Sequence, residues 1–419
     1  MNFKKRRTQL VILVFICFLI RAAHIHFLTQ PENYIFSDMK FYDYTASQIL
    51  ELRYSLFSTH NPPAYYLFLA TSYLLLKVVG LYAQKYVLIP YLQAAISSIC
   101  VVFVYLTAER IGGKKSAIAS SLMYAVFYPI ICLNSFLVAE NIFISLLLAS
   151  FYIIVCRIEK AGKKWQIALG TCLALASMTK TLFLTFTLVF LGWHYINFKD
   201  KRSSAIIAST IMLLFLASSL LNLWATGGEV FFISSGGGSG FVMSWCDLKY
   251  LNYQDWIRFQ SPSTYDYPDS RGLKVDFPFT QQGRLYQMGV ACIMENPKRI
   301  ITNTKNIIRL FDSRMFPDEQ SIPYYPQLFN LYKIISIALI IPLSFMAYYF
   351  SKGENKKYVA LILLTLPCLF ASIYLQGVGE ERYLIPYTTL LIILAPLGAK
   401  EIIEKTKIIY PRLYLVLGE

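Results

Sequence analysis

The chain repeats one pattern almost from end to end: an apolar run of about twenty residues, long enough to cross a hydrocarbon core of roughly 30 Å, then a short cluster of Lys and Arg. Hydrocarbon offers no partner to a bare peptide group, so such runs must be helices that satisfy their own backbone. The pattern predicts an all-α polytopic membrane protein. Candidate spans fall at 8–28, 86–108, 116–133, 138–156, 165–180, 181–198, 203–223, 331–350, 357–375 and 383–398. Lys4, Lys5, Arg6 and Arg7 before the first run would also suit a secretory signal, but no small-residue cleavage site follows, so the run stands as the first span.

A net charge of +15 can signal a nucleic-acid partner. Here the cations sit between the spans, which is how membrane topology is written, and no nucleic acid is expected. One more apolar stretch, Pro62 to Gly80, decides the arrangement. If it crosses, Arg110/Lys114/Lys115, Arg157/Lys160/Lys163/Lys164, Lys199/Lys201/Arg202 and Lys352/Lys356/Lys357 face opposite to Lys4–Arg7. If it does not, all of them are cytoplasmic with Lys400, Lys405 and Lys407. The positive-inside rule selects the second arrangement. Pro62 to Gly80 is then a juxtamembrane helix begun by Pro-Pro and capped by Asn61.

About ten spans result, with both termini inside. Three modules follow: 1–224 with its extracytoplasmic loop 29–85, a loop region 225–330, and the helices and tail of 331–419. The turns Asn134 to Glu140 and Gln376 to Arg382 join the two loops on the outer side. Met178-Thr179-Lys180-Thr181 marks a tight outer hairpin or a broken helix.

Within 225–330, Gly227-Gly228 and Gly236-Gly237-Gly238-Ser239-Gly240 make a flexible entry. Trp245 and Trp256 suggest a polar-aromatic surface suited to sugars. After Asn296-Pro297, Ile300, Ile301, Ile307, Ile308 and Leu310 alternate with Lys298, Arg299, Lys305 and Arg309, an amphipathic helix expected along the membrane surface. Six of the eight cysteines lie in apolar spans; Cys246 and Cys292 share the loop and are candidates for a disulfide if it faces an oxidising compartment.

No dinucleotide fingerprint, phosphate loop, His-Glu-x-x-His or nucleophile elbow occurs. A site facing away from the cytoplasm meets no nucleotide sugars, so the residues point to a sugar carried on a lipid phosphate. Such transfer needs a carboxylate for the acceptor proton, positive charge for the departing phosphate, and an apolar slot for the tail. Asp38, just past the first span, is the expected base; its plain alternative is a solvated acid or a cap for 39–50. Glu140 opens an apolar span, where an acid is costly unless paired or functional, and is the second candidate. The two acids are also the candidates for a divalent metal, should there be one. Asp43, five residues on, faces elsewhere on a helix. Arg382, with Tyr383 beside it, is the first choice to grip phosphate, followed by Lys180 and His60. Arg21, inside the first span, is expected to snorkel or to pair with a buried acid.

Read in order, Asp38 with Tyr42 and Ala46, His60-Asn61-Pro62-Pro63-Ala64-Tyr65-Tyr66, Ala139-Glu140-Asn141, Ala174-Leu175-Ala176-Ser177-Met178-Thr179-Lys180 and Glu381-Arg382-Tyr383-Leu384-Ile385-Pro386 form a pattern. It resembles the C-type (GT-C fold) membrane glycosyltransferases, the superfamily of protein O-mannosyltransferases and the lipid A aminoarabinose transferase. The resemblance implies inverting transfer of a sugar from a polyprenyl-phosphate donor to a glycan, lipid or protein hydroxyl, with the first-loop acid central. Many protein mannosyltransferases carry Asp-Glu there, whereas Met39 follows Asp38 here. That departure weakens the case for a protein acceptor, and the lack of a large soluble C-terminal domain leaves acceptor recognition to 225–330. A polysaccharide polymerase or lipid-linked oligosaccharide flippase shares the polytopic, basic plan, although a flippase would line a central cavity with its charges.

Overall fold

A computed structural model describes residues 3–33, 35, 38–54, 59–158, 162–198, 201–226, 233–234, 236–246, 282–312, 325–376 and 381–409. Every regular element among them is helical. In chain order the first are α1 (Phe3–His24), α2 (Asp38–Leu50), α3 (Pro63–Val78), α4 (Lys85–Val126), α5 (Tyr128–Leu133), α6 (Glu140–Cys156), α7 (Lys163–Ser177), α8 (Leu184–Asn197), α9 (Lys201–Thr226) and α10 (Gly237–Trp245). Later helices are named below by their residues. Trp256 and the Gly227-Gly228 pair lie outside the described residues.

Each expected span is largely helical, some of them broken. Five helices are long and apolar enough to cross a membrane, and the pair Ile385–Leu391 and Ala395–Thr406, bent by 40°, adds a sixth. The spans expected at 138–156, 165–180 and 181–198 are α6, α7 and α8, of 17, 15 and 14 residues. At 1.5 Å per residue these reach roughly 20–25 Å, short of a full crossing without their flanking turns. The chain is a multi-helix membrane protein.

The longest helix, α4, is a hairpin in disguise. Gly113 interrupts it with φ 81° and ψ −178°, a backbone state that a Cβ would strain. Tyr124 then donates its hydroxyl to the Ser97 carbonyl at 2.7 Å across 27 residues. On a straight helix the two would lie about 40 Å apart, so the chain has turned back. The second limb stops at Phe127, which turns extended, and 128–133 becomes the separate α5, so the span expected at 116–133 is two pieces.

Arg21 is fully buried in this hairpin. Neither expectation for it holds among the described residues: it is buried without an acid beside it. Its guanidinium donates to Ser97 Oγ (3.1 Å), to the Cys17 carbonyl (3.2 Å) and to the Tyr124 carbonyl (3.5 Å). Tyr124 lies in the last turn of its limb, where free carbonyls and the negative end of the helix dipole offset a positive charge.

The bundle has two unlike ends. At one, Arg6 of α1 is paired with Glu109 of α4, and Asn355 donates to the Ile111 carbonyl at 3.0 Å. These residues border the basic clusters. At the other end α2, α3, the 134–140 turn and the 178–183 turn meet. Pro62, not Asn61, is the cap residue of α3. Neither Pro62 nor Pro63 has an N–H, so the first donor is that of Ala64, which bonds the Met178 carbonyl at 3.0 Å. One face of α3 is buried through Tyr65, Tyr66, Leu69 and Tyr73, while Leu75 and Val78 remain exposed. That two-faced character suits a helix at the bundle's rim.

In the loop region Cys246 and Cys292 are disulfide-bonded, their Cα atoms 5.3 Å apart. The bond staples α10 to the helix Gln282–Glu295. Trp245 belongs to the interior rather than to a sugar-stacking surface: it is 3% exposed, and its indole N–H bonds the Leu375 carbonyl at 3.1 Å. The amphipathic stretch after Pro297 is two short helices, Arg299–Thr302 and Thr304–Asp312, rather than one.

Candidate active site

Asp38 begins α2 and Glu140 begins α6, so each carboxylate sits in a first helical turn, where the dipole favours an anion. Arg382 lies in the short turn Glu381–Tyr383, and Lys180 in the extended residue after α7. The fold draws these four segments together. Arg382 Nη2 donates to Asp38 Oδ2 at 2.6 Å, its Nε lies 3.7 Å from Glu140 Oε1, and Lys180 Nζ lies 2.8 Å from the same oxygen. Tyr383 supplies a ring under both cations, 4.9 Å from Lys180 Nζ and 5.4 Å from the Arg382 guanidinium carbon. Asp38, Glu140, Lys180, Arg382 and Tyr383 are therefore in one cluster.

The two acids are not equivalent. The Glu140 side chain is 1% exposed, whereas that of Asp38 is 32% exposed. Only Asp38 can meet an incoming molecule without rearrangement. Burial pushes its carboxyl up, but the charges of Arg382 and Lys180 outweigh that and hold it below its ordinary range. Asp38 is ionised at neutral pH. Glu140 is instead the shared counter-ion of two cations, held by charge, since neither of its oxygens makes a hydrogen bond among the described residues.

His60 flanks the cluster, its ring 6.4 Å from that of Phe41 on α2. Burial lowers its pKa to about 4, against a smaller upward pull from Asp38, so it is neutral at pH 7. Gly236 presses on it from the loop region: a Cβ there would stand 2.7 Å from the His60 carbonyl oxygen, a contact that only glycine avoids.

Sequence reasoning missed the scaffold behind the cluster. Asn141 donates to the Leu133 and Phe136 carbonyls at 2.8 and 3.1 Å, and Asn134 donates to Asn141 Oδ1 at 2.8 Å. Gln93 donates to the Asn134 and Phe136 carbonyls and accepts from Tyr65, whose ring meets Tyr42 edge-on at 4.8 Å. The network fixes the turn that delivers Glu140. Burial pushes the Tyr42 phenol well above its usual range, helped by Asp38 and Glu140, so it stays a neutral donor. The sequence signals were Asn141 beside Glu140, and Tyr42 one turn after Asp38.

The metal expectation fits this donor set poorly. Both carboxylates are already neutralised by cations, and no group of three His, Cys, Asp or Glu gathers among the described residues. Two residues after Arg382 the chain enters the wall of a half-open groove, where Leu384 and Ile385 join Phe127, Leu310, Phe329 and Ile337 in a mostly apolar lining that also holds Lys333.

Comparison with known proteins agrees with this architecture. Residues 60–224 match the family described as dolichyl-phosphate-mannose-protein mannosyltransferase. No curated protein sequence matches the chain. Among solved structures, the archaeal oligosaccharyltransferase AglB from Archaeoglobus fulgidus, in complex with an inhibitory peptide and a dolichol-phosphate, aligns over 100% of this chain and 53% of its own, at 11% identity and a TM-score of 0.55. An Archaeoglobus fulgidus oligosaccharyltransferase tethered to an acceptor peptide aligns over 96% and 50%, at 9% identity and a TM-score of 0.54. The chain thus spans about half the length of these oligosaccharyltransferases. Its helical architecture is theirs: the chain has the C-type membrane glycosyltransferase fold, GT-C.

Proposed function

We propose that the protein is a membrane glycosyltransferase that moves a sugar from a polyprenyl-phosphate-linked donor to an acceptor hydroxyl on the extracytoplasmic face, with inversion. The observation that carries this reading is the Asp38–Arg382 contact, made across 344 residues and continued through Glu140 to Lys180. It joins an accessible base to two cations beside an apolar groove.

In the proposed reaction the donor's tail lies in that groove and its phosphate reaches Arg382 and Lys180. The phosphate competes with Asp38 for the guanidinium, which has five donors to share. Asp38, released in part from its partner, accepts the acceptor's hydroxyl proton as that oxygen bonds to the anomeric carbon from the opposite face. The bond from that carbon to the phosphate oxygen breaks, its electron pair stays on the phosphate, and Arg382 and Lys180 neutralise the charge. Glu140 keeps the cations in place and Tyr42 lends a neutral hydroxyl. No step runs through a metal.

The extracytoplasmic placement is supported by the basic clusters at the opposite end of the bundle and by the Cys246–Cys292 bond, which belongs to an oxidising compartment. Asp38→Asn, expressed and folded as the parent, should lose transfer by about 10²–10⁴-fold and leave lipid-linked sugar to accumulate. Unchanged transfer would end the proposal. An Arg110→Cys variant labelled by an impermeant thiol reagent from outside would reverse the topology.

A further inference from the structure

Lys298 with Ile301, then Lys305 with Ile308, repeat one pairing seven residues apart. Asn303, between the two short helices, keeps right-handed angles of φ −69° and ψ −11°, so the chain continues in the same helical sense. Two turns then bring the pairs to one face. That face is bare: Ile301 is 76% and Ile308 57% exposed. The other face is seated. Leu310 is fully buried, and Asn303 donates to the Ser244 carbonyl at 3.0 Å.

Depth along the bundle is set by Tyr374, whose hydroxyl bonds the Ile300 carbonyl at 2.6 Å. Tyr374 belongs to the last turn of Gly353–Gln376, one of the helices long and apolar enough to cross a membrane. Ile300 and Ile301 therefore lie where a crossing helix leaves the hydrocarbon. Helices of four and nine residues cannot cross it themselves. From 282 to 312 the chain carries five Lys or Arg against two acids.

We infer that residues 298–308 rest in the headgroup layer of an anionic membrane, with Ile301 and Ile308 entering the acyl boundary and Lys298 and Lys305 meeting lipid phosphates. An apolar face supplies the hold and the lysines supply the preference for negative lipid, the usual logic of an interfacial helix. The segment also grips the roof of the site. Arg299 donates to the Trp245 carbonyl, and Trp245 ends the stapled helix whose first turn begins beside His60. Membrane contact would then hold that roof at a fixed height.

The test places an environment-sensitive nitrobenzoxadiazole label on Ile301→Cys in the full-length protein, in nanodiscs of phosphatidylcholine alone or mixed with phosphatidylglycerol. Unmutated protein carried through the same labelling sets the background. The inference expects blue-shifted emission, a further shift in the anionic discs, and stronger quenching by lipid spin-labelled near the glycerol than at the chain end. Lys298→Gln with Lys305→Gln should remove the further shift alone. Emission as in water, or a blue shift that no spin-labelled lipid quenches, would overturn it, the latter pointing to a protein partner. Strongest quenching from the chain end would overturn it too, as immersion rather than interfacial seating. None of these readouts depends on the transferase reading.

Discussion

Asp38 and Asp43 share α2, five residues apart, and differ in how completely each carboxylate is satisfied. Asp43 accepts from Lys85 Nζ at 2.6 Å and from the Tyr73 and Tyr86 hydroxyls, both at 2.8 Å. The Lys85 ammonium in turn lies within 4.7–5.0 Å of the Tyr73, Tyr82 and Tyr86 rings. Both carboxylate oxygens are used and the cation is enclosed by aromatics. Asp38 has one short contact among the described residues, leans on a guanidinium that also serves Glu140, and stays about one-third exposed. The saturated acid locks α2 to α3 and to the start of α4. The unsaturated one has capacity left for a visitor.

The comparison breaks most plainly if the two acids respond alike to amide replacement. Asp38→Asn is expected to remove about three orders of magnitude of transfer with the thermal midpoint in detergent little changed. A midpoint that falls with activity would make Asp38 another lock. Asp43→Asn and Lys85→Met should do the reverse, costing about 3 kcal/mol of stability by leaving a half-buried partner unpaired. Denaturation in mild detergent reads this, and residual transfer should follow the folded fraction.

Glu140→Gln sharpens the contrast at the cluster itself. It leaves Arg382 and Lys180 without their common counter-ion, at a cost of roughly 2 kcal/mol, and adding Lys180→Met should recover part of the loss. Additive costs in that cycle would mean the two side chains do not act as a pair. The smallest effect concerns pH. His60 has a pKa of about 4 in the folded protein against an ordinary 6.5, so the unfolded chain takes up the proton first. Stability should therefore decline as pH falls from about 6.5 to about 4. His60→Asn should flatten that part of the profile, and an unaltered slope would assign it to other groups.

Much of this was legible before any coordinates. Span positions follow from hydrophobic run length, and Asp38, Glu140, Lys180 and Arg382 stand out because charge next to an apolar run is expensive. Their convergence was legible from sidedness, since the basic clusters label one end of the bundle and leave these residues for the other. What stayed hidden depends on partners distant in sequence. Lys85 reads as one more flanking lysine until three tyrosines surround it. Arg21 looked for an acid because sequence displays carboxylates and not the spare carbonyls of a limb 103 residues away. Trp245 read as a surface aromatic because its carbonyl partner, Leu375, lies 130 residues further on.

Four segments far apart in the chain supply the charges of the cluster, and the last of them arrives late. At a synthesis rate of roughly 5–20 residues per second, Arg382 leaves the ribosome about 20–70 s after Asp38. Throughout that interval the nascent chain holds Asp38 without its partner guanidinium. A partly inserted protein therefore lacks the complete charge cluster until its final helices are in place.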